Sequence, residues 1–94
     1  MKTLTETEIA NFLSEEPLWM FAEGKLVREW RFKDFVEAMM FVNRVAAVAE
    51  DAGHHPDIDI RYNRVRLGLV THDAGGITKT DADMAKRCSH EFSH

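Results

Sequence analysis

The stretch EDAGHHPDI, from Glu50 to Ile58, marks the point where the hydrophobic pattern of the chain changes from helical to strand-like. Gly53 suits the left-handed backbone that ends a helix, and Pro56 cannot continue one. Two adjacent histidines, His54 and His55, lie between these residues. The stretch therefore predicts a helix end, a short loop that carries two imidazoles, and the start of a strand.

The residues before this stretch predict a long helix with an unusually wide apolar surface. Asp34 can cap its start, with Glu37 three residues later, as in a capping box. Apolar residues follow the spacing of one helical face at Phe35, Ala38, Met39, Val42, Val45, Ala46 and Ala49. Further apolar residues lie outside that face, at Val36, Met40, Phe41, Ala47 and Val48. Because the apolar surface exceeds one stripe, we expect a homodimer or homotetramer that buries part of this helix.

The residues after the stretch predict a β-hairpin and then a last helix. Apolar side chains recur at every second position, at Ile58, Ile60 and Tyr62 and then at Val65, Leu67 and Leu69. Asn63 lies at the predicted turn. Thr78 followed by Asp81 predicts the start of a helix. The inner face of this helix would be formed by Ala85, Cys88 and Phe92.

The beginning of the chain predicts a first helix and a first hairpin. Thr5 and Glu8 form a capping-box pattern, and the helix should end near Glu15 or Glu16, before Pro17. Aromatic and branched residues from Leu18 to Phe32 flank Gly24, which can supply the positive φ of a tight turn. The predicted order is α-β-β-α-β-β-α. This order indicates a single α+β domain over residues 1–94, with an antiparallel sheet and helices packed on one face.

Composition excludes several classes of function. The chain has 94 residues, 45% of them apolar, and a formal net charge of −4, so it lacks the basic surface that nucleic-acid binding needs. No apolar run approaches the length of a membrane span. The single cysteine, Cys88, cannot form an internal disulfide. We therefore expect a cytoplasmic protein with no direct nucleic-acid or membrane partner.

A third histidine, His72, follows the second strand of the predicted second hairpin. Antiparallel pairing would return it to the sheet edge where His54 and His55 lie. Imidazoles titrate at about pH 6.5, so such a cluster can hold both a proton donor and a proton acceptor at neutral pH. The alternative interpretation is that these are surface or capping histidines without a chemical role.

Other chemistries are less favoured by the spacing. A metal site could use the histidines with Glu50, Asp51, Asp57 and Asp73. However, adjacent histidines in extended backbone point to opposite faces, and the helical H-E-x-x-H pattern is absent, so we expect no metal. Cys88 lies on a predicted apolar helix face, which favours packing over acyl transfer. Gly75 and Gly76 lack the pattern that follows a phosphate-binding glycine loop.

The residues Glu50, His54, His55, Pro56, Tyr62, His72 and Asp81, at these spacings, resemble the signature of the pterin-4a-carbinolamine dehydratases. Flanking stretches, including RFKDFVEAMMFVNRVAAVAE, are similar as well, so the resemblance covers about residues 18–86. It implies a four-stranded antiparallel sheet backed by helices. It also implies removal of water from 4a-hydroxytetrahydropterin to give quinonoid dihydropterin, without a metal or other cofactor.

The resemblance implies that His54, His55 and His72 bind the pterin and exchange its protons, with acid and base unassigned. We predict substrate contacts from Glu50, Trp19, Asp57, Thr71 and Asp73. Asp81 would act mainly as a first-turn helix residue.

The chain departs from animal family members at Thr80, where those tend to carry arginine. A pterin-dependent aromatic amino acid hydroxylase is the implied functional partner. Animal members also dimerise with a homeodomain transcription factor, and we do not expect that role here. The competing interpretation is a non-enzymatic dimerisation or binding module of the same fold.

Overall fold

The computed structural model describes residues 2–91, and their side chains up to residue 90. Its elements in chain order are helix α1 (Glu6–Glu15), strands β1 (Met20–Ala22) and β2 (Lys25–Arg31), helix α2 (Phe35–Ala52), strands β3 (Asp57–Arg61) and β4 (Arg64–Leu69), a 3-10 helix (His72–Ala74) and helix α3 (Lys79–Glu91). The predicted α-β-β-α-β-β-α order is confirmed. The 3-10 helix was not predicted.

The four strands form one antiparallel sheet in the order β1-β2-β4-β3. The two hairpins therefore join through β2 and β4, where Leu26 pairs with Leu69 and Trp30 pairs with Val65. In the second hairpin Asp57 pairs with Gly68. This register brings the start of β3 beside the end of β4, and it sets the position of the histidines.

The core lies between the helices and one face of the sheet. Trp30 and Phe32 of the first hairpin pack on Phe41 of α2, with ring centroids 4.7 and 5.1 Å apart. Val65, Leu67 and Leu69 of β4 face the same way and are fully buried. The opposite face carries alternating charged residues, namely Glu29, Arg31, Asp57, Asp59, Arg61, Arg64 and Arg66. The predicted packing of helices on one face is confirmed.

The helix ends follow the predicted capping chemistry. Thr5 and Glu8 form both hydrogen bonds of a capping box at the start of α1. Helix α2 continues past Ala49 to Ala52 and ends at Gly53, which has a φ of 64°. In α3, Ala85 and Cys88 are buried as predicted, whereas Phe92 lies outside the described residues. No helix within residues 2–91 is long and apolar enough to cross a membrane.

Helix α2 exposes part of its apolar surface, as its sequence indicates. Val36 and Met40 are 66% and 54% exposed, and Phe35 is also about half exposed. Ala38, Phe41, Val45, Val48 and Ala49 form the buried side of this helix. The helix therefore has a second apolar strip that this chain does not cover.

Candidate active site

The end of α2 directs His54 and His55 towards the sheet edge. The backbone N–H of His54 donates to the Ala49 carbonyl at 3.1 Å, and that of Gly53 donates to the Glu50 carbonyl at 3.3 Å. These two bonds form a Schellman ending, in which the left-handed glycine turns the chain sharply away from the helix axis. The two histidines therefore leave the helix at a fixed angle.

His72 reaches the same place from the end of β4. Thr71 and Gly76 form an antiparallel bridge that closes the loop between β4 and α3. His72 begins the 3-10 helix inside this loop, and its side chain is exposed. The loop therefore presents the third imidazole at the sheet edge that carries the other two.

A cavity of about 280 Å³ lies between these segments. Its lining consists of Gly53, His54, His55, Val70, Thr71, His72 and Asp73. This volume is near the lower end of the roughly 300–1,000 Å³ typical of small-molecule sites. The three histidines that the sequence singled out are thus brought together around one small cavity.

His54 is held by a buried carboxylate. Its Nε2 lies 2.5 Å from Oδ1 of Asp81, whose side chain has no solvent exposure, while the His54 side chain is 15% exposed. The other oxygen, Oδ2, accepts hydrogen bonds from the Thr71 hydroxyl at 2.8 Å and the Thr78 backbone N–H at 2.9 Å. A carboxylate only accepts hydrogen bonds, so Nε2 of His54 carries the proton between them. Nδ1 is then the ring nitrogen left for a ligand.

His55 has a different environment from its neighbour. Its Nε2 is hydrogen-bonded to Oε2 of Glu50, in the last turn of α2. Both side chains are mostly exposed, 64% for His55 and 77% for Glu50. The adjacent histidines therefore turn towards different carboxylates, one in solvent and one in the core.

Two of the predicted substrate contacts lie away from this cavity. Trp19 is buried, and its indole N–H donates to Oγ of Ser89 at 2.6 Å. Its ring packs edge-on against Trp30, with 5.8 Å between ring centroids. The same Ser89 Oγ accepts a hydrogen bond from Arg28, the pKa of whose guanidinium is lowered by burial. Trp19 is thus part of the core beneath the sheet, and it is absent from the cavity lining.

Asp57 is the other displaced residue. Its Oδ2 accepts a hydrogen bond from Nζ of Lys25 at 2.6 Å. Both residues line a separate cavity of about 290 Å³ on the charged face of the sheet, with Val27 and Gly68 among its other walls. Of the five predicted substrate contacts, Thr71 and Asp73 line the histidine cavity, and Glu50 reaches it through His55.

Asp81 was underestimated from the sequence. Its spacing from Thr78 predicted a helix start, and the Thr78 N–H to Asp81 Oδ2 bond fulfils that role. The bond from Oδ1 to His54 could not be read from a capping pattern, since it joins residues 27 positions apart. The only available signal was that Asp81 completes the pattern of residues that includes the histidines.

A metal would need a cluster of ligating side chains. Within the described part of the chain, no group of three or more histidine, cysteine, aspartate and glutamate residues is placed to hold a metal ion. Cys88 is buried in the core rather than in the cavity. The imidazoles and carboxylates around the cavity are groups that can accept and donate protons.

Comparison with known proteins agrees with this arrangement. The sequence pattern of the family described as pterin 4 alpha carbinolamine dehydratase matches residues 2–91. A protein of Acidobacterium capsulatum, provisionally named pterin-4-alpha-carbinolamine dehydratase, is 59% identical over 85 residues, covering 90% of this chain and 92% of its own length. A provisionally named counterpart in Thermomicrobium roseum is 55% identical over 87 residues, covering 93% of this chain and 94% of its own.

Two solved structures have the same fold. A crystal structure from Brucella melitensis, described as a transcriptional coactivator/pterin dehydratase, aligns with a TM-score of 0.88 and 35% identity over 95% of this chain and 97% of its own. A pterin dehydratase-like protein described as a RuBisCO assembly factor in the alpha-carboxysome aligns with a TM-score of 0.62 and 20% identity. That alignment covers 77% of this chain and 83% of the other, and it concerns the fold alone.

Proposed function

Because the chain belongs to the pterin 4 alpha carbinolamine dehydratase family, we propose that it converts a 4a-hydroxytetrahydropterin to the quinonoid dihydropterin and water. In this reaction the bond between C4a and the hydroxyl oxygen breaks, and a double bond forms between C4a and N5. The leaving hydroxyl gains one proton and N5 loses one. The reaction therefore needs one acid and one base. The observation that carries the proposal is the presence of three histidines around one cavity.

His54 is suited to act as the base. Its Nε2–H is bound to the Asp81 carboxylate, which leaves Nδ1 as the acceptor for the N5 proton. When Nδ1 is protonated, the adjacent buried negative charge stabilises the imidazolium. The same carboxylate restricts rotation of the ring, so its acceptor keeps one direction. This arrangement supports a fixed proton acceptor at the inner wall of the cavity.

The acid is one of the more exposed histidines. His55 and His72 both line the cavity and are open to solvent, so either can regain a proton from water after each turnover. In this scheme Glu50 orients His55, and Asp73 lies beside His72 where it can contact a polar group of the substrate. Trp19 and Asp57 lie outside the cavity lining and have no part in this scheme, and the Thr71 hydroxyl is bonded to Asp81.

The cellular setting follows from the same proposal. The substrate is what a pterin-dependent aromatic amino acid hydroxylase leaves after each turnover, so such an enzyme is the expected functional partner. A homo-oligomer is supported by the exposed apolar strip of α2. A cytoplasmic location is supported by the single cysteine, which is buried and cannot form an internal disulfide.

A non-enzymatic binding module of the same fold is the second candidate. It is favoured by the description of the Brucella melitensis relative as a transcriptional coactivator as well as a dehydratase. A module of this kind would use the exposed residues of α2, and it would not require the His54–Asp81 pair. The two candidates therefore differ in which residues they need.

The deciding experiment is a dehydratase assay on purified protein with chemically generated 4a-hydroxytetrahydropterin. His54→Ala and His72→Ala should each lower the rate, since general acid or base catalysis contributes about 10²–10⁴-fold. The double variant should be slower than either single variant. His90→Ala, at an exposed position of α3 outside the cavity, is the matched control and should keep the wild-type rate. A folded double variant that dehydrates the pterin at the wild-type rate would contradict the proposal.

A further inference from the structure

Thr71 connects the His54–Asp81 pair to the loop that carries His72. Its side chain is half-buried in the cavity wall, next to His72 in the sequence. Its Oγ1 is 2.8 Å from Oγ1 of Thr78 and 2.8 Å from Oδ2 of Asp81. The hydroxyl that the sequence suggested for substrate binding is therefore engaged by α3.

The direction of these hydrogen bonds follows from the number of protons that each group can donate. The Asp81 carboxylate can only accept, so the one proton of the Thr71 hydroxyl is donated to Oδ2. The Thr78 hydroxyl then donates to Thr71 at 2.8 Å, the shorter of its two contacts, since its distance to Oδ2 of Asp81 is 3.4 Å. The resulting chain runs from Thr78 through Thr71 to Asp81 and ends at His54. It fixes the carboxylate that orients the His54 ring.

The backbone of Thr71 holds the loop that carries His72. Its carbonyl accepts N–H groups from Ala74 and Gly75, both at 3.1 Å, and from Gly76 at 3.4 Å. Its own N–H donates to the Gly76 carbonyl at 3.0 Å. The loop therefore folds around a single residue, and the side-chain hydrogen bonds described for that residue run to Thr78, directly before α3, and to Asp81 in α3.

We propose that Thr71 is a positioning residue that fixes the His72 loop relative to the His54–Asp81 pair, an inference that rests on the proposed dehydratase function. Its backbone holds the loop of one imidazole, and its hydroxyl holds the carboxylate of the other. Loss of the Thr71 hydroxyl would leave the His72 loop and the His54–Asp81 pair intact, but the loop could then move relative to the pair. His54, the proposed base, and His72, one of the two candidate acids, would then no longer be held at a set separation.

The test compares Thr71→Val with Thr71→Ser. Valine has nearly the shape of threonine but lacks the hydroxyl, and a displacement of about 1 Å in an active site can lower a rate on the order of 10²-fold. We expect Thr71→Val to lower kcat by about this factor with little change in KM, and Thr71→Ser to restore most of the rate. Thr7→Val, at an exposed position of α1, controls for the loss of a threonine hydroxyl and should behave as wild type. A rise in KM with an unchanged kcat would instead indicate a substrate contact and overturn the positioning role.

A second measurement does not depend on activity. In nitrogen-15 NMR spectra, the ring signals of both His54 and His72 should move in Thr71→Val and return in Thr71→Ser. Unmoved signals for either ring would overturn the proposed link, even with a slow enzyme. An inactive wild-type protein would refute the proposed function, while these spectra would still decide whether Thr71 holds the two rings. If Thr71→Val and Thr71→Ala both fail to fold, Thr71 has a purely structural role and the inference is wrong.

Discussion

Replacing Asp81 by asparagine would test whether the buried carboxylate sets the proton of His54. The substitution keeps the shape of the side chain and removes its charge. Oδ2 receives the Thr78 backbone N–H at 2.9 Å, and a backbone amide cannot reverse its role. The asparagine oxygen should therefore face Thr78, which turns its amide N–H₂ towards Nε2 of His54. His54 could accept that hydrogen bond only by moving its own proton to Nδ1.

The expected loss of rate follows from this change of tautomer. With the proton on Nδ1, His54 has no acceptor for the N5 proton, so the rate should fall by most of the roughly 10²–10⁴-fold that a general base contributes. Stability should fall less, by about 1–3 kcal/mol, because hydrogen bonds to a charged group become hydrogen bonds to a neutral one. The variant should remain folded while losing most of its activity.

The assay is the dehydration rate of chemically generated 4a-hydroxytetrahydropterin, measured together with nitrogen-15 NMR of the His54 ring. Asp83→Asn is the matched control, because Asp83 lies two residues further along α3 and pairs at 2.8 Å with exposed Lys79 instead of a histidine. The control should keep both rate and tautomer. A folded Asp81→Asn protein with the wild-type rate would refute the assignment of His54 as base. An Asp81→Asn protein that loses the rate while His54 keeps its proton on Nε2 would also refute it.

Three further predictions concern assembly, metal and acid stability. Light scattering should give a mass larger than that of the 10.8 kDa monomer. The double variant Val36→Glu, Met40→Lys should be a monomer, because both side chains lie on the exposed apolar strip of α2. A wild-type protein that is monomeric at micromolar concentration would contradict the proposed oligomer. Activity should survive exhaustive chelation, since the proposed steps are proton transfers; loss on chelation with recovery on adding zinc would favour a metal enzyme. Hydrogen bonds from Thr5, chiefly from its backbone N–H, lower the pKa of Glu8, so Glu8 stabilises the folded state at neutral pH and loses this effect as pH falls through that lowered pKa. Glu8→Gln should therefore lower the melting temperature more at neutral than at strongly acidic pH; an equal decrease at both would contradict the linkage.

The meeting of the histidines was predictable because it depends on local pattern alone. Gly53 determines where α2 ends, and the period-two alternation with a turn near Asn63 determines the second hairpin. Once β3 and β4 pair, His72 must return to the edge where His54 and His55 lie. The sequence located this turn but did not predict its backbone geometry, in which Tyr62 has a positive φ of 55°.

Several contacts that escaped prediction join residues distant in sequence. Trp19 bonds Ser89, 70 positions away, and Lys25 bonds Asp57 across the sheet, 32 positions away. The second contact passes close to Gly68, where an added Cβ would lie 3.3 Å from Cδ of Lys25 and 3.7 Å from Cβ of Asp57. Such contacts depend on the register of β2 against β4 and on the placement of α3. Neither can be read from hydrophobic periodicity, because periodicity sets which face a residue occupies and not which partner lies opposite.

The adjacent histidines illustrate how one dipeptide can serve two roles. Neighbouring side chains in extended backbone diverge, so His54 and His55 cannot share one partner. His54 turns inward to a carboxylate without solvent exposure, and His55 turns outward to one that is 77% exposed. A proton on the inner pair is held in a fixed direction by the surrounding threonines, whereas one on the outer pair can exchange with water. Dehydration needs both properties, a fixed acceptor at N5 and a donor that is replenished after each turnover. The divergence therefore suits the pair to the proposed dehydration, in which one imidazole accepts a proton and another donates one.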